Sequence, residues 1–298
     1  MNLKKILCLL AVSASLTAGI AQQPYGGSWH LNYVRDWTPE SDPDAKFNKS
    51  TVALQPRIED DVVKANSNQF SDGKVAACLT MNPSCSMTPS QGANNFIGYN
   101  PTYWQYMDML VWWGGSSGEG VVIPPTAPVT DICHLNGVKV LGIVFFSPTS
   151  FGGRPEWVDQ MLTEEGGKYP YAEKLYQIAD YYGFDGWFIN AETVTSTGKW
   201  DKFIEYFYQI AEADGNHDME IQWYDAKYTS PMDLVNVNSN VSYMVNYGMA
   251  SSSSIASEWS KYSSAGYSKD EFFSKAYFGV EQAQGGIEGN ASYFESCF

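Results

Sequence analysis

The sequence predicts an α/β fold, a (β/α)8 barrel of the TIM type, from two observations. Short runs rich in β-branched and aromatic residues recur along the chain, each followed by a Gly-, Pro- or Asn-containing loop and then a helical pattern. These runs are almost continuously apolar, which is typical of strands buried on both faces of a parallel sheet. Repeated strand–helix alternation within 298 residues favours a closed barrel over an open sheet.

The elements follow in order along the chain. Residues 22–71 are polar and are interrupted by prolines, so we expect an irregular N-terminal segment. Apolar residues recur at helical spacing in Tyr171–Tyr182 and Trp200–Ala213, which predicts two helices, the first ending before Gly183. The apolar runs predict strands at Lys74–Thr80, Met107–Trp113, Lys139–Phe146, Gly186–Glu192, Glu220–Tyr224, Val241–Tyr247 and Ala276–Glu281.

The number of predicted strands is one short of the eight that close such a barrel. Two explanations remain open. A strand near Thr51–Leu54 is concealed in the polar segment, or the barrel lacks its eighth strand because the chain ends early, after the Gly-rich, polar stretch Gly285–Phe298. We favour the second explanation.

The first residues have the pattern of an export signal. Lys4 and Lys5 precede the apolar stretch Ile6–Leu16, and small residues follow up to Ala21. The apolar stretch is too short to span a bilayer as a mature helix. We therefore expect a signal peptide at residues 1–21, a barrel domain at residues 22–298, no membrane anchor, and a secreted, periplasmic or cell-surface location.

Composition narrows the classes of ligand. The formal net charge of −15 argues against nucleic acid, whose phosphates require Lys and Arg. An aromatic content of 15% is compatible with sugar binding, although aromatic residues also fill protein cores. The three histidines and the cysteines have no zinc-ligand spacing, so we expect neither a metal nor a cofactor. The sequence leaves open whether Cys78 and Cys85 form a disulfide or remain two free thiols.

The end of the fourth predicted strand carries the candidate chemistry. Side chains alternate along a strand, so Phe188, Asn190 and Glu192 share one face, with Glu192 outermost. Active sites of such barrels lie at the C-terminal ends of the strands. A carboxyl group among aromatic and aliphatic residues has a raised pKa and keeps its proton available. Glu192 is therefore the candidate proton donor, the alternative being a Glu that only caps the next helix.

The amide of Asn190 indicates which kind of glycoside chemistry is involved. Ordinary glycosidases use two carboxylates, but the near partner of Glu192 on this face is an amide. In a glycosidase, Asn190 would then orient the 2-acetamido group of the sugar while that group attacks its own anomeric carbon. The hydroxyl of Tyr224, on the fifth predicted strand, would supply a further hydrogen bond, unless this side chain only packs the barrel.

Four motifs resemble one known family. The run Asp185–Glu192, DGWFINAE, resembles the signature of the glycoside hydrolase family 85 endo-β-N-acetylglucosaminidases. The likeness extends to Trp112–Gly120, His134–Gly142 and Gln222–Asp225, and covers roughly Trp29–Gln282.

The resemblance implies an enzyme that cuts the GlcNAc-β1,4-GlcNAc bond in the core of N-linked glycans or glycopeptides, with substrate assistance and retention of configuration. It implies that Glu192 is the acid/base, that Asn190 orients the acetamide and that Tyr224 assists. The substrate-binding residues that we expect are Trp112, Trp113, Glu119, Trp187, Trp223 and Asn246.

Two alternative functions are retained. The glycoside hydrolase family 18 pattern is Asp-Gly-x-Asp-x-Asp-x-Glu, which would imply a chitinase or related endoglycosidase. This chain has Phe188 and Asn190 where that pattern has acids, so family 85 is favoured. The other alternative is a catalytically weak barrel that binds N-glycans.

Overall fold

The computed structural model describes residues 26–27, 29–57, 73–79, 101–113, 121–193, 199–281, 292 and 296–297. The expected signal peptide lies outside these residues, as do Glu119 and Cys85. Within them, no helix is long and apolar enough to cross a membrane.

Strands and helices alternate through most of the described chain. The strands are β1 (Ala76–Leu79), β2 (Met109–Trp112), β3 (Val122–Ile123), β4 (Lys139–Phe146), β5 (Gly186–Ala191), β6 (Glu220–Tyr224), β7 (Val241–Val245) and β8 (Ala276–Phe278). The α-helices are α1 (Leu31–Asp36), α2 (Ala45–Asn48), α3 (Ala127–Leu135), α4 (Pro155–Met161), α5 (Pro170–Tyr182), α6 (Trp200–Ala213), α7 (Met232–Val235), α8 (Ser252–Ser264) and α9 (Lys269–Lys275).

The sheet has the order β1-β2-β4-β5-β6-β7-β8, and every neighbouring pair on this path is parallel. The α/β barrel architecture predicted from the sequence is therefore confirmed, as are its strands, several of which are shorter at their ends. Residues 51–54 form no strand. In the described chain β1 and β8 are the two ends of the sheet and are not paired with each other.

Two predictions about local structure need correction. The N-terminal segment was expected to be irregular, but it contains α1 and α2. The antiparallel strand β3 was not predicted because it has only two residues; it pairs with β4 through Val122–Val144 and Ile123–Ile143. Trp29 forms a bridge with Val122, so tertiary contacts hold both the segment and the short strand in place.

Helix α5 shows why the predicted helices form. Proline at its first position costs no intrahelical hydrogen bond, and Gly183 ends the helix with a φ of 77°, which glycine adopts without strain. Its buried face packs on the sheet, where Trp187 Nε1 donates to the carbonyl of Leu175 at 2.9 Å. The helix thus fixes the outer face of β5, the strand that leads to Glu192.

A buried histidine ties the N-terminal segment to the start of β5. His134 Nδ1 lies 2.7 Å from the carbonyl oxygen of Val52, and Nε2 lies 2.9 Å from Asp185 Oδ2. Both partners are acceptors, so both ring nitrogens donate and the imidazolium form is favoured. Burial alone would lower the pKa of His134, but the hydrogen bond and charge of Asp185 and the bond to Val52 outweigh it and raise the pKa.

We expect His134→Gln to lower the free energy of unfolding by roughly 1–3 kcal/mol at acidic pH, because buried acceptors lose their donors. A raised folded-state pKa contributes stability that is complete below the unfolded pKa of about 6.5 and is lost as pH rises through the folded pKa. Urea unfolding of both proteins from pH 5.5 to pH 9 measures this. His217→Gln, at an exposed position, is the control. If the difference in the free energy of unfolding between wild type and His134→Gln grew with pH, the charged form assigned to His134 would be wrong.

Lys275 is a second buried cation, 5% exposed, at the end of α9. Its Nζ donates to the carbonyl oxygens of Val235, Asn238, Ser239 and Val241 at 2.8, 3.0, 3.3 and 3.2 Å. Burial lowers the pKa of Lys275, and the charge of Glu220 opposes this. The side chain therefore holds the loop between α7 and β7 against the last strand.

We expect Lys275→Met to destabilise the protein by about 2–3 kcal/mol, because methionine leaves buried carbonyl oxygens without donors. Chemical denaturation followed by tryptophan fluorescence measures the loss. Lys202→Met is the matched control, since Lys202 is exposed and forms a salt bridge with its neighbour Glu205. Equal free energies of unfolding for Lys275→Met and Lys202→Met would show that the four carbonyl groups around Lys275 do not need its ammonium group.

Candidate active site

The ends of β4, β5 and β6 bring candidate side chains together inside the barrel. The sheet register aligns Phe145 with Asn190, and Asn190 with Tyr224. Residues aligned in register project to the same face of the sheet. This face is the barrel interior, and Asn190 and Tyr224 are direct neighbours on it.

Glu192 follows the last residue of β5. Its backbone N–H donates to the carbonyl of Phe146 at 2.9 Å, which continues the β4–β5 ladder and fixes the position of the residue. The side chain is partly buried. Burial raises the pKa of Glu192, and a hydrogen bond from Asn190 partly opposes that increase. Glu192 therefore keeps a proton to a higher pH than an exposed glutamate does.

Asn190 is almost completely buried, with 1% of its surface exposed. Its hydrogen bond to the Glu192 carboxylate must come from Nδ2, because a carboxylate accepts. The amide oxygen Oδ1 has no hydrogen-bond partner among the described residues. Buried polar atoms in folded proteins are nearly always paired, so an orphaned acceptor beside a carboxyl group calls for a ligand donor.

Tyr224 completes the cluster. Its ring stacks on Phe188 with centroids 6.2 Å apart, and its hydroxyl donates to Asn246 Oδ1 at 2.9 Å. Burial, followed by the negative charge of Glu192, raises the pKa of Tyr224 well above that of a free tyrosine. The phenol therefore stays protonated and can donate a hydrogen bond inside the barrel.

The two adjacent tryptophans at the end of β2 differ in position. Trp113 contacts Phe145 and Phe188, with ring centroids 5.3 and 6.4 Å apart, and is partly exposed at the barrel mouth. Trp112 is fully buried, and its Nε1 has no partner among the described residues. Of this pair, only Trp113 is positioned to meet a ligand beside Asn190 and Glu192.

Trp187 and Trp223 lie on the outer face of the barrel. Trp187 bonds to the backbone of α5 and is completely buried, and Trp223 packs edge-on against Trp200 of α6 at 5.0 Å. These contacts with helices argue against the expected role in substrate binding. Side-chain alternation could have indicated this, because both residues are one position away from the interior residues Phe188 and Tyr224.

Asn246 also differs from its expected role. Both ends of its amide are engaged, with Oδ1 accepting from Tyr224 and Nδ2 donating to the carbonyl of Ala226 at 2.9 Å. The side chain of Asn246 is therefore linked to the candidate site by its hydrogen bond with Tyr224.

Three exposed aromatic residues on the same side of the barrel were not singled out from the sequence. Phe151, Tyr228 and Tyr247 follow β4, β6 and β7, with 72%, 58% and 51% of their surfaces exposed. Large apolar rings that remain in solvent at an active-site rim are available to stack on sugar faces. Their position a few residues after apolar strand runs is the signal that could have identified them.

Metal ligation has no support among the described residues. They contain no group of three or more His, Cys, Asp or Glu side chains that could hold a metal ion. The described side chains offer this site a carboxyl group with a raised pKa, an amide acceptor and a phenol donor.

Comparison with known proteins points to one family. Residues 82–286 match the family model Glycosyl hydrolase family 85. The chain is 37% identical over 102 residues to cytosolic endo-beta-N-acetylglucosaminidase 2 of Arabidopsis thaliana, which covers 34% of this chain and 14% of that protein. It is 33% identical over 108 residues to the cytosolic endo-beta-N-acetylglucosaminidase of Homo sapiens, covering 35% and 14% respectively.

A solved structure agrees with this match. The glycoside hydrolase domain of Endo-D from Streptococcus pneumoniae R6 superposes with a TM-score of 0.68 and 25% identity, covering 83% of this chain and 41% of that chain. The chain thus spans less than half of that structure and a much smaller part of the relatives named above.

The names of the relatives correct one prediction. They are cytosolic enzymes by name, in Arabidopsis thaliana, Mus musculus and Homo sapiens alike. This contradicts the expected signal peptide and the secreted, periplasmic or cell-surface location.

Proposed function

The chain belongs to glycosyl hydrolase family 85, and from this premise we propose that it is an endo-β-N-acetylglucosaminidase that hydrolyses the GlcNAc-β1,4-GlcNAc bond in the core of N-linked glycans. Two of the family motifs, Asp185–Glu192 and Gln222–Asp225, lead to the strand ends that carry Glu192 and Tyr224. The relatives named above carry this activity in their names. The strong negative charge argues against nucleic acid as a partner.

The pairing of Glu192 with Asn190 carries this proposal. The pKa of Glu192 responds to burial and to the Asn190 amide. Two-carboxylate glycosidases use a second acid beside the proton donor, and on this face of β5 the neighbour of Glu192 is an amide instead. A buried amide with an unpaired oxygen suits a substrate that brings its own nucleophile, which a 2-acetamido sugar does.

In the first step, the acetamide N–H of the sugar donates to Asn190 Oδ1, and Tyr224 donates to the acetamide oxygen. That oxygen forms a bond to the anomeric carbon as the glycosidic C–O bond breaks. Glu192 gives its proton to the leaving oxygen of the second GlcNAc, which departs with the peptide. The raised pKa of Glu192 keeps this proton available to a higher pH than that of an exposed glutamate.

The product of the first step is a cyclic oxazolinium ion that keeps the acetamide N–H. In the second step, water attacks its anomeric carbon from the side that the leaving group vacated. Glu192, now ionised, accepts a proton from this water. The bond between the acetamide oxygen and the anomeric carbon breaks, so the acetamide is restored and the configuration is retained. Trp113, Phe151, Tyr228 and Tyr247 are placed to stack on the bound sugars.

Mass spectrometry of a high-mannose glycopeptide after incubation with the purified full chain tests the proposal. A peptide that retains a single GlcNAc on Asn is the expected product. A chitin oligosaccharide, assayed in parallel, represents the family 18 alternative and should remain uncut. An intact glycopeptide that nevertheless binds, measured by isothermal titration, would replace the proposal with the N-glycan-binding alternative.

A further inference from the structure

Asn246 connects the loops that follow β6 and β7. It lies just beyond β7, and its backbone N–H donates to the carbonyl of Lys227 at 2.9 Å. Its side-chain Nδ2 donates to the carbonyl of the preceding residue, Ala226, also at 2.9 Å. Two successive carbonyls of the β6 loop are therefore held by one asparagine of the neighbouring strand.

The amide orientation of Asn246 follows from these bonds. A carbonyl oxygen only accepts, so the atom that faces Ala226 is Nδ2 and the atom that faces Tyr224 is Oδ1. An amide oxygen also only accepts. The hydroxyl of Tyr224 therefore donates its proton to Asn246.

The loop that Asn246 holds is strained. Ala226 is the one residue other than glycine among the described residues with a positive φ, at 59°. The Cβ of an alanine disfavours this left-handed conformation, so the surrounding contacts must hold the residue in it. The neighbouring Asp225 is fixed as well, since it accepts from the hydroxyl of Tyr243 at 2.7 Å. The backbone after Tyr224 is thus held in one uncommon conformation.

We propose that Asn246 is a positioning residue for Tyr224: it holds the hydroxyl proton of the free enzyme and releases it to the acetamide oxygen when substrate binds. This inference rests on the proposed function. It assigns Asn246 no contact with the sugar, in contrast to the role expected from the sequence. Because the phenol exchanges one amide-type acceptor for another, the hydroxyl turns while the ring stays stacked on Phe188.

A double-mutant cycle tests the proposal. We expect Asn246→Ala to lower kcat by about tenfold or more with little change in KM, because a misplaced catalytic group slows the chemical step. Tyr224→Phe should lower kcat at least as much, and the double variant should be no slower than Tyr224→Phe. The matched control is Asn236→Ala, which removes an asparagine that accepts from Tyr267 and that precedes the start of β7, whereas Asn246 follows its end; its kcat should be unchanged.

A conservative variant provides a second readout. In Asn246→Asp, the protonated acid can still donate to Ala226 and accept from Tyr224, whereas the ionised acid cannot donate. The activity of this variant relative to wild type at each pH should therefore recover as pH falls, while its melting temperature relative to wild type shows whether folding contributes. If the activity of Asn246→Asp relative to wild type does not change with pH, the positioning role is overturned. It is also overturned if the losses of kcat in Asn246→Ala and Tyr224→Phe multiply in the double variant.

The four proteins of the double-mutant cycle (the wild type, the two single variants and the double variant) also separate this inference from the proposed function. An inactive wild type would overturn the proposed function and the catalytic role of Asn246 with it. Thermal unfolding of the cycle would then still show whether Tyr224 and Asn246 act as a pair, since non-additive losses of stability indicate direct interaction. Activity in the wild type with additive kinetic losses would reject the positioning role alone.

Discussion

We expect Glu192→Gln to lower kcat on an N-glycan substrate by about a thousandfold or more. The glutamine cannot give a proton to the leaving oxygen or accept one from water, and a positioned acid or base contributes about 10²–10⁴-fold in each such step. Substrate binding should persist, because glutamine has nearly the same volume and still accepts from Asn190. Initial rates of glycopeptide cleavage, with isothermal titration for binding, measure both effects.

The control for this variant is Glu156→Gln, which makes the same chemical change in the exposed first turn of α4. It should retain full activity. Thermal unfolding of Glu192→Gln should match or exceed that of wild type, since the substitution removes a carboxyl whose raised pKa reflects unfavourable burial. Retention of more than a tenth of the wild-type rate would remove Glu192 from the proposed acid/base role.

Asn190→Ala is expected to lower kcat by about 10²–10³-fold, the range found when one preorganised partner of a developing charge is removed. The variant loses the Oδ1 acceptor that the acetamide N–H would use. It also loses the hydrogen bond to Glu192, which lowers the pKa of that carboxyl. The pKa of Glu192 should therefore rise further, and the alkaline limb of the residual kcat profile should move to higher pH.

Asn190→Asp distinguishes the two families of mechanism. A carboxylate can accept the acetamide N–H, so this variant should be faster than Asn190→Ala. It should remain slower than wild type, because a like charge next to Glu192 disturbs its protonation. Hydrolysis faster than wild type, with unchanged substrate preference, would instead favour the two-acid pattern of family 18.

Local pattern was sufficient for much of the architecture. Strand β4 and helix α6 have the limits expected from their apolar runs, because a buried strand or helix face requires apolar residues at its own period. The seven parallel strands were recognisable for the same reason. The short strand β3 was not, because two residues carry no period, and pairing with β4 alone defines it.

The sequence pattern predicted the relative positions of site residues only within a single strand. Alternation along β5 put Asn190 and Glu192 on one face, and the structure has both of them at the barrel mouth. The same rule, applied one residue further, would have excluded Trp187. Residues from other strands were harder to relate to the site: Tyr224 was proposed from its position on the next predicted strand, and Trp113 only through the resemblance.

The sequence by itself determined the parallel α/β barrel, its family and the neighbouring amide and carboxyl groups of β5, because each depends on residue type and short-range spacing. The tertiary structure alone decided the environment of those groups. Burial raises the pKa of Glu192, packing leaves Asn190 Oδ1 without a partner, and the meeting of two loops places Asn246 on Tyr224 rather than in the cleft. These properties arise from contacts between segments distant in sequence, which no local pattern encodes.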